Sequence, residues 1–120
     1  MVFKKVLFHT HFRELALNSL KSIMALKAVG LESIVLTHII PRDDVSFVPY
    51  GGYHKEAENQ LKSEARIRFE DWQNLLTENG IESSIRIEVG APNAAILSIA
   101  AEENVDLIIV GRKKRTLLEK

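Results

Sequence analysis

Two hydrophobic periods alternate along this chain, and that alternation limits it to very few architectures. Short runs rich in β-branched residues exchange with stretches whose apolar positions recur every three or four residues. Residues 4–10 (Lys4-Lys5-Val6-Leu7-Phe8-His9-Thr10) read as a buried strand. Ala16, Leu20, Ile23, Met24 and Ala28 then mark a helix over residues 13–29, with Gly30 as its stop. A second strand over residues 33–40 carries Ile34, Val35, Leu36, Ile39 and Ile40, and Pro41 ends it. Residues 41–53 hold Pro41, Pro49, Gly51 and Gly52 and read as a long loop. Residues 54–79 show the clearest amphipathic helix, striped by Ala57, Leu61, Ala65, Phe69, Trp72 and Leu76. Charges of both signs fill its other face, with Glu58 and Lys62 as an attractive pair four residues apart. From Ser84 onward, residues 82–89 alternate: Ile85, Ile87 and Val89 face one way and Arg86 and Glu88 the other, which marks an edge strand. A helix over residues 92–103 opens on Pro92, where a missing N–H does no harm. The run over residues 105–110, apolar apart from Asp106, is the fourth strand. Gly111 closes it, and Arg112, Lys113, Lys114 and Arg115 follow.

Strands alternating with helices require a parallel sheet with right-handed crossovers. The first, second and fourth strands are near-continuous apolar runs and the third alternates, so the expected order is 3-2-1-4. The first two helices then cover one face and the third covers the other, a three-layer α/β/α arrangement. The chain reverses direction between strands 1 and 4. A crevice opens there beyond the strand carboxyl ends, where ligands of open α/β sheets bind. Its expected lining is His9, Thr10 and His11 on one side and Gly111, Arg112, Lys113 and Lys114 on the other. Strand 4 would form an apolar outer edge, which natural proteins normally cover. Either a further strand or another chain is expected to pair with it.

Composition excludes several classes. With 46% hydrophobic and 27% charged residues among 120, the chain is an ordinary globular domain rather than a disordered one. Sixteen basic residues balance sixteen acidic ones, which argues against a dedicated nucleic-acid binder. No apolar run reaches the roughly 20 residues of a membrane span. Without cysteine there is no disulfide, thiolate nucleophile or thiolate metal site. A cytoplasmic, single-domain protein over residues 1–120 is expected.

Candidate chemistry gathers around the crevice. The basic stretch after Gly111 reads either as an anion site or as a solvated turn. His9, His11 and His38 lie near the ends of neighbouring strands, but their spacing does not make a zinc site. Asp43 and Asp44 read as solvated loop acids, and Trp72, Phe69 and Leu76 as core. No residue set supplies acid, base and nucleophile together, so no enzyme is expected. Clustered acids after strand 1, which a phosphorylated receiver domain needs, are replaced by His9-Thr10-His11.

Four pieces in order resemble the universal stress protein family. They are Lys5-Val6-Leu7-Phe8-His9-Thr10, Leu36-Thr37-His38-Ile39-Ile40, Val89-Gly90-Ala91-Pro92-Asn93-Ala94-Ala95-Ile96-Leu97 and Val105-Asp106-Leu107-Ile108-Ile109-Val110-Gly111. The resemblance implies a Rossmann-like fold of the adenine nucleotide alpha hydrolase type with strand order 3-2-1-4-5. The fifth strand and the helix before it lie beyond Lys120, so the domain is expected to be C-terminally incomplete. It also implies a stress-response role and ATP or AMP bound at the switch point, with Mg accompanying the nucleotide and at most weak ATP hydrolysis. Thr10 and His11 would border base and ribose, and Ile39 would meet adenine through its backbone. Val110, Gly111, Arg112, Lys114 and Arg115 would hold the phosphates. The family's Gly-x2-Gly-x9-Gly-(Ser/Thr) signature departs here. Gly111 fits the first glycine, Lys114 replaces the second, and His11 stands where the family has Asp. The alternative is an interaction module without nucleotide, acting through a homodimer or a tandem partner domain.

Overall fold

The apolar runs form one four-stranded parallel sheet in the computed structural model, which describes residues 3–12, 16–42 and 55–110. The strands are β1 (Lys5–His9), β2 (Ser33–Pro41), β3 (Glu82–Gly90) and β4 (Leu107–Val110). The helices are α1 (Ala16–Met24), α2 (Lys55–Glu78) and α3 (Pro92–Glu103), and a 3-10 turn spans Ala25–Val29. The spatial order is β3-β2-β1-β4, as expected from the alternating third strand at one edge. Leu7 pairs with Val35 on one side and Ile108 on the other, which fixes the register of β2, β1 and β4.

Strand alternation sorts the side chains into two cores. Val6, Phe8, Ile34 and Leu36 meet Leu20 and Ile23 of α1 and Phe69 and Leu76 of α2. Trp72, Ile85 and Ile87 pack against that cluster from its margin. On the opposite face Leu7, Val35 and Ile39 meet Ile96 and Ile99 of α3. Each fully buried Leu, Ile or Phe contributes about 1.5–3 kcal/mol, so these two layers dominate the stability.

The region of the first helix departs from the expected single helix over residues 13–29. The α-helix ends at Met24 and tightens into the 3-10 turn. With three residues per turn the apolar face rotates away, and Ala28 is exposed rather than part of the stripe. Gly30 still closes the segment in the left-handed conformation, at φ 115°. The loop expected over 41–53, including Asp43 and Asp44, lies outside the described residues apart from Pro41 and Arg42.

Three charged residues behave otherwise than expected. Glu58 is buried, with Nζ of the part-exposed Lys62 2.6 Å from its Oε2, so its carboxylate does not lie on the charged outer face. Asp106 precedes β4 rather than lying in it. Its Oδ2 accepts the backbone N–H of Lys4 (2.9 Å) and Lys5 (3.0 Å), and its own N–H donates to the Lys5 carbonyl (2.7 Å). Asp106 thus fastens the start of β4 to the start of β1. Arg86, on the polar side of β3, reaches Glu102 (2.7 Å) and Glu103 (2.9 Å) of α3 as well as Glu88. Lys5 joins the same network through Glu103 at 3.1 Å.

Hydrogen bonds to Glu102 and then Glu88 raise the Arg86 pKa, and those from Arg86 and then Lys5 lower that of Glu103. Replacing Arg86 by methionine leaves three carboxylates without their shared cation, and should cost about 1–3 kcal/mol at neutral pH. Because the Glu103 pKa is depressed in the folded protein, its contribution is present above the ordinary carboxylate range. It is lost as pH falls through the folded value. Urea unfolding of wild type and Arg86→Met should therefore differ at neutral pH and converge in acid. A constant difference across that range would contradict the ionic origin.

Candidate functional site: the carboxyl end of β1

β1 ends in a turn built by Thr10. Its N–H continues the ladder to the Thr37 carbonyl (3.0 Å), and its Oγ1 accepts the Phe12 N–H (2.9 Å). The Thr10 carbonyl accepts from His38 Nδ1 at 2.8 Å. A carbonyl can only accept, so the His38 proton is on Nδ1. Thr10 is 1% exposed and works as the turn's frame.

The turn forces Phe12 to φ 57°, a left-handed conformation rare for an aromatic residue. Such a residue costs about 1–3 kcal/mol of strain and persists only where its surroundings over-determine it. The Phe12 ring lies 4.8 Å from that of Phe69, 5.0 Å from His38 and 5.5 Å from Trp72. The Arg68 guanidinium sits 5.3 Å from its centroid, and Arg68 Nη1 makes a long hydrogen bond of 3.4 Å to the Phe12 carbonyl. Core packing therefore holds the first residues of the β1–α1 connection in place.

His9 is the buried imidazole of the turn. It is 1% exposed, pairs in register with Val110 of β4, and has no hydrogen-bond partner among the described residues for either ring nitrogen. Its ring stands edge-on to that of His11 at 4.7 Å. Burial, then the charges of His11 and His38, lower its pKa to about 4. His9 is therefore neutral at physiological pH.

Thr10, His11 and Val110 are brought together at the β1–β4 end of the sheet, and Val110 is exposed. Ile39 lies one strand away on β2, two residues beyond Thr37. Its side chain is wholly buried in the α3-facing core, so it has only its backbone to offer a ligand. Gly111, Arg112, Lys114 and Arg115 lie outside the described residues. No three His, Cys, Asp or Glu side chains among the described residues are grouped to hold a metal ion. No described helix is long and apolar enough to cross a membrane.

Sequence reasoning missed Phe12, His38 as a turn clamp, and Arg68. The one local signal was the Thr10-His11-Phe12 order, because a threonine hydroxyl often accepts the N–H two residues on. Beside this turn, a groove of about 600 Å³ opens between the strand ends and the first half of α2. His11, Phe12, His38, Leu61, Ala65 and Arg68 line it.

The universal stress protein family model matches residues 3–120. Universal stress protein MJ0577 of Methanocaldococcus jannaschii is 32% identical over 133 residues, spanning 99% of this chain and 82% of the relative. The solved structure of MJ0577 superposes with a TM-score of 0.82 at 33% identity, covering 99% and 81% of the two chains. A universal stress protein family structure from Burkholderia pseudomallei gives 0.76 at 18% identity, over 92% and 82%, and supports the fold alone. Another universal stress protein, solved in complex with cAMP, gives 0.51 at 15% identity, over 90% and 72%, and likewise supports only the fold. With its strand order, helix placement and nearly full-length match in agreement, this chain belongs to the universal stress protein family.

Proposed function

We propose that this chain is a cytoplasmic stress-response regulator that binds an adenine nucleotide, ATP or AMP, across the carboxyl ends of β1 and β4. The observation that supports this reading is the parallel pairing of His9 with Val110. It sets Thr10 and His11 beside the exit of β4 at the point where the connections change direction. The cAMP complex of a protein with the same fold adds support that an adenine ring suits this architecture.

In this reading His11 borders base and ribose beside the Thr10 turn, and the Ile39 backbone meets the adenine edge. Val110, Gly111 and Arg112 approach the phosphates, with Lys114 and Arg115 supplying positive charge. Lys114 then offers an ammonium in place of the close backbone approach that glycine permits. Mg enters only with the nucleotide. No acid, base and nucleophile set is proposed, so the role is binding, with at most weak ATP hydrolysis.

The β4 edge favours a second element of the proposal. Among the described residues β4 has only β1 as a strand neighbour, and Val110 is 54% exposed at its end. An apolar edge of this kind is covered in stable proteins. Pairing with a second copy or a tandem stress protein domain would cover it; no nucleic acid is involved. Native mass spectrometry with and without added ATP or AMP tests both elements together. A nucleotide-bearing species is expected, and a species that stays ligand-free in excess of both nucleotides would leave the interaction module as the function.

A further inference from the structure

The groove beside α2 has features that the nucleotide reading does not use. It shares only His11 with the proposed crevice and does not rest on that reading. Its wall is Leu61 and Ala65, with Ile67 61% exposed at the rim. Its floor is the ring of Phe12, held at φ 57° by the aromatic cluster beneath. Arg68 is at its mouth and forms no ion pair among the described residues. Its protein partners there are the Phe12 ring and the Phe12 carbonyl, the latter at 3.4 Å. A guanidinium has five donors in a planar fork, so most of that capacity faces the groove and solvent.

The remaining charge in the lining is Glu64, whose Oε1 accepts from Gln60 at 3.4 Å. His38 is committed through Nδ1 to the Thr10 carbonyl. One guanidinium opposed by one carboxylate suits a monoanion better than a phosphate dianion. The apolar wall favours a ligand with hydrocarbon or ring surface over a bare ion. We propose that this groove binds a small carboxylate carrying an apolar body. The carboxylate pairs bidentately with Arg68, and the body rests on Leu61, Ala65 and Phe12.

The test is a two-dimensional NMR titration of the whole chain with benzoate. Acetate serves as charge without body, benzyl alcohol as body without charge, and inorganic phosphate as the dianion. Benzoate should shift the Phe12, Leu61 and Arg68 signals saturably with a Kd on the order of 1 mM. The three controls should bind at least about ten-fold more weakly, and Arg68→Gln should weaken benzoate by about ten-fold or more. Arg68 lies on the outer face of α2, and an otherwise unchanged spectrum will show that the variant is folded. Lack of saturation by about 20 mM benzoate would overturn the proposal. So would equal binding of acetate or phosphate, or an Arg68→Gln variant that binds as wild type does.

Discussion

Acidification from pH 6.5 to about 4 should destabilise this protein by roughly 3 kcal/mol through His9, and replacing His9 by leucine should remove that loss. The imidazole is 1% exposed, has no hydrogen-bond partner among the described residues, and faces two further histidines. Its pKa falls from 6.5 unfolded to about 4 folded. Between those values the unfolded chain binds a proton that the folded protein refuses. The sign follows: the neutral, buried ring carries no protonation penalty above pH 6.5, and stability drains away as pH falls toward the folded pKa. Leucine fills a similar volume without needing a hydrogen bond. His9→Leu should thus also gain about 1 kcal/mol at neutral pH by removing unpartnered nitrogens. Urea unfolding of both proteins from neutral to mildly acidic pH measures this. Curves that diverge steadily toward acid are expected, and parallel curves would show that His9 titrates without hindrance.

Phe12 carries the second large effect. Truncation to alanine removes a ring packed on Phe69, Trp72 and His38 and should cost about 2–3 kcal/mol. Glycine at the same position also loses the ring. At ordinary positions it would be about 0.5–1 kcal/mol worse than alanine, but at φ 57° it relieves the strain that alanine retains. Phe12→Gly should therefore be at least as stable as Phe12→Ala. The fluorescence of Trp72, the chain's single tryptophan, reports both transitions. A glycine variant clearly less stable than the alanine variant would mean that the left-handed turn stores no strain.

The fold was largely legible because its signals are local or periodic. Continuous apolar runs at Val6–Phe8 and Ile34–Leu36 mark strands covered on both faces, and the alternation of Ile85 and Ile87 marks the edge. The order β3-β2-β1-β4 is consistent with those differences, although they do not by themselves place the apolar β4 at the outer edge. What escaped depends on partners distant in sequence. Asp106 looks like a polar interruption until its carboxylate meets the N–H groups of Lys4 and Lys5. Arg86 looks like the solvent side of an edge strand until α3 brings Glu102 and Glu103 over it. The helix period near Ala28 could not reveal a change of pitch. At the site, Thr10, His11 and Val110 were legible as strand ends meeting at a switch point. The left-handed Phe12 and the Arg68 contact with it were not, because each is set by packing across the first core layer.

The most direct test of nucleotide binding at the β1–β4 end is an NMR titration with AMP, read residue by residue. Saturable shifts centred on the Thr10, His11, Ile39 and Val110 amides are expected. Lys114→Ala should weaken binding by about ten-fold, the loss of one charge-assisted phosphate contact. Absence of any saturable shift at millimolar AMP, or shifts confined to Leu61 and Arg68 along α2, would contradict binding in this crevice.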